Sequence, residues 1–157
     1  MDEKNKLLKK LASYCSKKEV CVFDIMQKLA STQLNEDEKV SIINFLIKEK
    51  FIDEKRYAES FVNEKLNING WGRIKIAEAL KLKNIDENII NLAIRNIDMN
   101  YYIDIIKKAA LKKINALIND DIEIKRNKVI QFLISKGFEE EIAENVISEL
   151  NFNDTCF

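Results

Sequence analysis

The stretch Leu80-Lys81-Leu82-Lys83-Asn84-Ile85-Asp86-Glu87-Asn88-Ile89-Ile90-Asn91-Leu92-Ala93 is echoed fifty-three residues later, from Leu133 through Lys136-Gly137-Phe138 to Ile142 and Val146. Leu80, Ile85, Ile89 and Ala93 step by five, four and four, and Leu133, Phe138, Ile142 and Val146 keep the same intervals. Steps of four belong to a helical face, and the step of five crosses a turn between two helices. The chain therefore reads as a repeat whose unit is helix, short helix, turn, helix. A first copy is looser: Leu29 and Leu34 keep the interval of five, and the apolar positions after them shift by about two residues.

Working outward, each copy supplies three helical patterns. In the first, Leu7, Leu8, Leu11, Ala12 and Cys15 share a face, as do Val22, Ile25, Met26 and Leu29. Asn35 with Glu38 has the spacing of a capping box ahead of Val40, Ile43, Phe45, Leu46 and Ile47. In the second, Asp53 stands as N-cap with Ile52 placed to staple onto Tyr57, and Ala58, Phe61, Val62 and Leu66 continue the stripe. Gly70-Trp71-Gly72 ends that helix in a tight turn, and a short helix follows with Ile74, Ile76, Ala77, Leu80 and Leu82. Asp86 then caps a helix carrying Ile89, Ile90, Ala93 and Ile94. The third copy has a long helix from Tyr101 to Ile118, a break at Asn119-Asp120-Asp121, a helix stopped by Gly137, and a last one through Leu150.

The expected fold is all-α: three tandem three-helix, helix-turn-helix-like repeats at 1–52, 53–98 and 99–151, with a C-terminal tail at 152–157. Units of roughly 45 to 50 residues bury little surface alone, so they are expected to share apolar faces and stack into an elongated, curved molecule.

Composition narrows the function. The chain has 157 residues with no Pro and three Gly, which leaves little punctuation for hairpins and favours helices. Lys plus Arg and Asp plus Glu both number 26, so any basic surface must be local. With no His, the commonest general base and the middle member of a Ser or Cys triad are missing. Cys15, Cys21 and Cys156 lack the paired spacing of a zinc site and read as structural thiols. No catalytic residue, metal or cofactor is expected. No apolar run reaches the length of a membrane span and Met1-Asp2-Glu3-Lys4 opens no signal peptide, so a cytoplasmic, membrane-free protein is expected.

Candidate binding residues are cationic. Arg73, Lys75, Lys81 and Lys83 outnumber Glu78 in one short segment, either as a contact for phosphate or an acidic partner, or as a solvated helix face. Lys107, Lys108, Lys112 and Lys113 repeat at helical spacing on the long helix, open to the same two readings, and Lys125, Arg126 and Lys128 extend them. Trp71, the only Trp, is either a binding anchor that stacks on a base or a packing residue between repeats. The runs Glu36-Asp37-Glu38 and Glu139-Glu140-Glu141 sit at helix starts, where acidic residues complement the macrodipole.

Three stretches, taken in order, resemble the RecX family. Asp53, Arg56, Tyr57 and Ala58 look like its Asp-x-x-Arg-aromatic-Ala signature. Gly70 and Gly72, running on to Ile74, Leu80, Lys83 and Ile85, resemble its Gly-x-Gly turn and the following helix. Lys136-Gly137-Phe138 is similar to its C-terminal element. Asn84 stands where the family usually has Gly, and Asn tolerates the left-handed conformation such a stop needs. Capping and stapling already account for Asp53, Arg56 and Tyr57, so the signature residues are expected to be structural. The resemblance implies a non-enzymatic regulator that binds RecA filaments on single-stranded DNA and suppresses ATP hydrolysis, strand exchange and co-protease activity; a monomer is expected. The competing expectation is a helix-turn-helix-like module that binds single- or double-stranded DNA without RecA.

Overall fold

The computed structural model describes residues 2–150, and every regular element among them is helical. In chain order these are α1 (Glu3–Lys17), α2 (Val22–Ala30), α3 (Glu36–Lys48), α4 (Glu54–Asn67), α5 (Arg73–Leu82), α6 (Glu87–Arg95), α7 (Met99–Ala116), α8 (Ile122–Ser135) and α9 (Glu140–Glu149). The tail at 152–157, with Cys156, lies outside the described residues.

The helix starts follow local chemistry. Asp2, Asn35, Asp53, Asp98 and Asp121 each accept a backbone N–H three residues on, which satisfies a donor that the first turn leaves open. At α3 the box is closed in both directions, because Glu38 also accepts from the Asn35 N–H.

The step of five has a physical identity. At the end of α8, Gly137 has φ +94° and the Phe138 N–H reaches back to the Leu133 carbonyl at 3.1 Å. At the end of α5, Asn84 has φ +58° and the Ile85 N–H reaches the Leu80 carbonyl at 3.3 Å. Both are left-handed helix stops in which an apolar residue folds back onto the last turn. The first copy uses the same device one helix later: Lys50 has φ +61° and the Phe51 N–H reaches Leu46 at 2.8 Å, closing α3 instead of α2. This relocation explains why the first copy fits the interval pattern loosely.

The first three helices bury one apolar cluster: Leu11, Cys15, Val20, Ile25, Leu29, Leu34, Ile42, Ile43, Leu46 and Ile52. Three residues expected in the α3 stripe are exposed instead, Val40 at 50%, Phe45 at 40% and Ile47 at 46%. The buried face runs through Ile42, Ile43 and Leu46; Phe45 and Ile47 adjoin Leu46 and are turned about 100° from it, and Val40 is about 200° round from Ile42. Ile74 and Leu82, each two residues and so about 200° round from Ile76 and Leu80, are also exposed.

Contacts gather the chain into two compact units. One takes the first repeat with the start of α4 and Leu80–Ile90; the other takes Val62–Ala79 and the described residues from Asn91 onward. The divisions fall inside α4, α5 and α6, so the middle repeat contributes to both units.

Candidate partner-binding surface

Both units contain a polar joint built on one plan: the N-terminus of a repeat's second helix meets a tyrosine from the first helix of the next repeat. In the second unit this tyrosine is Tyr102, four residues after the cap Asp98 and fully buried. Its hydroxyl accepts the Arg73 N–H at 2.9 Å, capping α5, and donates to Glu139 at 2.5 Å. The Arg73 side chain closes the triangle, with Nε donating to Glu139 Oε2 at 2.5 Å and the guanidinium lying 4.7 Å from the Tyr102 ring centre. Burial pushes the Tyr102 phenol above its ordinary range; the Arg73 N–H opposes this and the Glu139 carboxylate adds to it.

The backbones touch at the same place. The Gly72 N–H donates to Lys136 O at 2.8 Å and the Ile74 N–H to Gly137 O at 3.0 Å. A Cβ on Gly72 would lie closer than 3.0 Å to the Gly137 carbonyl and the Phe138 nitrogen, and one on Gly137 would run into Lys75. Gly72 is therefore required by close approach, not by the turn, which Gly70 makes with φ +65°.

The first unit repeats the plan with its charges exchanged. Asp24 on α2 accepts from Lys83 at 2.5 Å, whereas in the second unit Arg73 on α5 is the cation and Glu139 the anion. Burial alone would lift the Asp24 carboxyl, but donors from Lys83 and Cys21 outweigh it and hold the group low. The Glu54 carboxylate lies near the Val22 N–H at the start of α2, where Cys21 offers no side-chain cap. Burial raises the Glu54 carboxyl, the Val22 N–H opposes the rise, and the neighbouring Asp24 charge reinforces it. Tyr57 is buried beside Cys21, and burial followed by the nearby Cys21 and Asp24 pushes its phenol up. Arg56 donates to Glu19 at 2.6 Å and to the Lys50 carbonyl at 3.0 Å, so it clamps the left-handed end of α3.

These joints sort the cationic candidates. Arg73 and Lys83 are spent on Glu139 and Asp24, so the Arg73–Lys83 segment does not present its cations as one patch. Lys75 lies with its ammonium 4.6 Å from the Trp71 ring centre, and Lys65 approaches the same ring at 5.0 Å. Trp71 is half-buried, and Lys136 donates to the Asn69 carbonyl beside it at 2.9 Å. Lys81 is exposed. On α7, Lys108 and Lys112 stand one turn apart on the exposed side, while Lys107 and Lys113 flank the buried face and are half-covered. Lys113 sits 5.1 Å from the Phe132 ring centre. Lys125 is buried, Arg126 half-buried, and Lys128 pairs with Asp120 at 2.9 Å. Tyr102, Glu139, Asp24 and Glu54 were not distinguishable in sequence as a network. The one available hint was that Tyr102 repeats the spacing of Tyr57 from an Asp cap.

Among the described residues no group of His, Cys, Asp or Glu is placed to hold a metal ion, and no helix is long and apolar enough to cross a membrane. Cys15 and Cys21 are buried free thiols.

A consequence for stability follows from the triangle. Glu139→Gln keeps the shape and removes the charge that balances a half-buried Arg73, so about 2 kcal/mol should be lost. Glu140→Gln, at an exposed neighbour, should be neutral within about 0.5 kcal/mol. Urea unfolding of the two variants checks this, and equal midpoints would discard the network as a stabilising element.

Comparison with known proteins gives a consistent result. Residues 53–94 match a family model described as RecX, second three-helix domain, and residues 100–147 match RecX, third three-helix domain. A regulatory protein RecX from Clostridium acetobutylicum is 33% identical over 137 residues, covering 82% of this chain and 63% of its own length. One from Clostridium tetani is 32% identical, with 83% and 60% covered. The chain thus spans less than two thirds of these relatives. A crystal structure of RecX from Lactobacillus salivarius superimposes with a TM-score of 0.84 at 31% identity, covering 94% of this chain and 96% of the other.

Proposed function

This chain belongs to the RecX family, and from that premise we propose that it binds RecA filaments on single-stranded DNA and inhibits their ATPase, strand-exchange and co-protease activities. The observation that carries the reading is the tandem of two RecX three-helix domains, in family order, on a helical scaffold with a TM-score of 0.84 to a solved RecX. Arg73, Glu139, Asp24 and Lys83 are engaged in joining repeats, which suits a docking protein. The exposed cations Lys81, Lys108 and Lys112, and Lys75, half-buried over the Trp71 ring, are the contacts we assign to the filament or its DNA, with Trp71 as an aromatic anchor beside Lys75.

The test is RecA hydrolysis of ATP on single-stranded DNA with increasing amounts of this protein. Substoichiometric protein should lower the rate, and an unchanged rate at every ratio would remove the reading. Reversing Lys75, Lys81, Lys108 and Lys112 together to Glu should weaken inhibition by about tenfold while leaving the far-UV spectrum intact. Arg73 and Lys83 are kept out of that variant because they hold the joints. Tight, salt-sensitive binding to DNA alone, with no effect on RecA, would favour the stand-alone DNA-binding module.

A further inference from the structure

We infer that the first three-helix unit carries a docking groove for an acidic, amphipathic segment of a partner protein. Leu8 and Ala12 of α1, Phe45 of α3 and Phe51 wall a surface groove of roughly 420 Å³, with Asn5 and Lys9 at its rim. Phe45 is 40% exposed, although the helix around it has a well-defined buried face. A large apolar ring left in water beside a concavity marks an interaction site more often than a lone exposed side chain does.

Charge selects the occupant. In a chain of zero net charge, α1 carries five lysines against one glutamate. Lys4 is used on Ser41, at 3.0 Å, while Lys6, Lys9 and Lys10 are exposed. Lys9 stands at the groove rim, and Lys6 and Lys10 are exposed within one turn of it along α1, so the helix that walls the groove is cationic there. An anionic partner with apolar anchors satisfies both features at once, as an amphipathic helix does when it lays its apolar face into a groove. A nucleic acid would use the lysines and leave Leu8, Ala12, Phe45 and Phe51 against sugar and phosphate. The inference is independent of the recombinase reading, and its test contains no recombinase.

The probe is a fluorescein-labelled helical peptide of about sixteen residues, with Leu and Phe at i, i+3, i+4 and i+7 and Glu on the flanks. A scrambled peptide of equal composition is the control, and the full chain is titrated into each by anisotropy. The ordered peptide should bind about tenfold more tightly than the scrambled one. Phe45→Ser and Lys9→Glu should each weaken it about fivefold, with melting curves unchanged because both side chains are exposed. Equal binding of the two peptides would reduce the effect to bulk charge and overturn the groove. Wild-type affinity in both variants would place the contact elsewhere. Displacement of the peptide by oligothymidylate, with the same variants weakening the oligonucleotide, would reassign the groove to nucleic acid. Self-association in sedimentation that is lost in Phe45→Ser would reassign it to a second copy of the chain.

Discussion

Gly72→Ala is expected to lose about 4 kcal/mol of folding stability, and Gly137→Ala at least as much, whereas Gly70→Ala should lose only about 1 kcal/mol. A methyl on Gly72 would stand inside the van der Waals envelope of the Gly137 carbonyl and the Phe138 nitrogen. The backbone cannot simply retreat, because the Gly72 and Ile74 amides are hydrogen-bonded across the same contact at 2.8 and 3.0 Å. Gly137 adds a second cost: its φ of +94° is a conformation that side chains with a Cβ rarely adopt. Gly70 separates the two effects, since it shares a positive φ but an added methyl there would meet no heavy atom nearer than 3.9 Å. Guanidinium unfolding followed at 222 nm ranks the three variants. If Gly72→Ala and Gly70→Ala lose the same amount, close approach is not what the glycine is for.

That contrast also marks what a single sequence can and cannot convey. The helices were legible because caps and apolar spacing are local: Asn35 with Glu38 and Asp53 with Tyr57 carry their meaning within a few residues. The interval of five was legible as a turn, and Asn84 as its left-handed residue. The reason for Gly72 was not, because the atoms that forbid a side chain there come from residues 137 and 138. The same holds for the cations. Arg73 and Lys83 look like neighbours of Lys75 and Lys81 in sequence, yet their partners, Glu139 and Asp24, lie 66 and 59 positions away. Charge counting along a segment treats all four alike, while tertiary pairing removes two of them from the surface. Of the candidate site, the fold therefore keeps Lys81, Lys108 and Lys112 outward, half-covers Lys75 against Trp71, and turns the Asp53, Arg56, Tyr57, Gly72, Gly137 and Phe138 pattern into joints, helix stops and core.

The buried hydroxyls and thiol within these joints should make the fold sensitive to alkali. Burial pushes the Cys21 thiol from about 9 up to about 11, and pushes the phenols of Tyr57 and Tyr102 upward as well. Between pH 9 and 11 the unfolded chain releases the Cys21 proton while the folded chain keeps it, so the folded state binds more protons and stability falls as pH rises. Each retained proton costs at most about 1.4 kcal/mol per pH unit, and Cys21 alone should account for on the order of 2 kcal/mol by pH 11 after allowance for screening. From about pH 10 the two tyrosines steepen the fall. Unfolding midpoints measured from pH 7 to 11 should be level to about pH 8.5 and then decline. Cys21→Ala should flatten the decline below pH 10, and Tyr102→Phe should flatten only the steeper part above it. Parallel curves for wild type and Cys21→Ala across that range would show that the buried thiol holds no proton the unfolded chain has lost, and water would then have to reach the Cys21 sulfur in the folded joint.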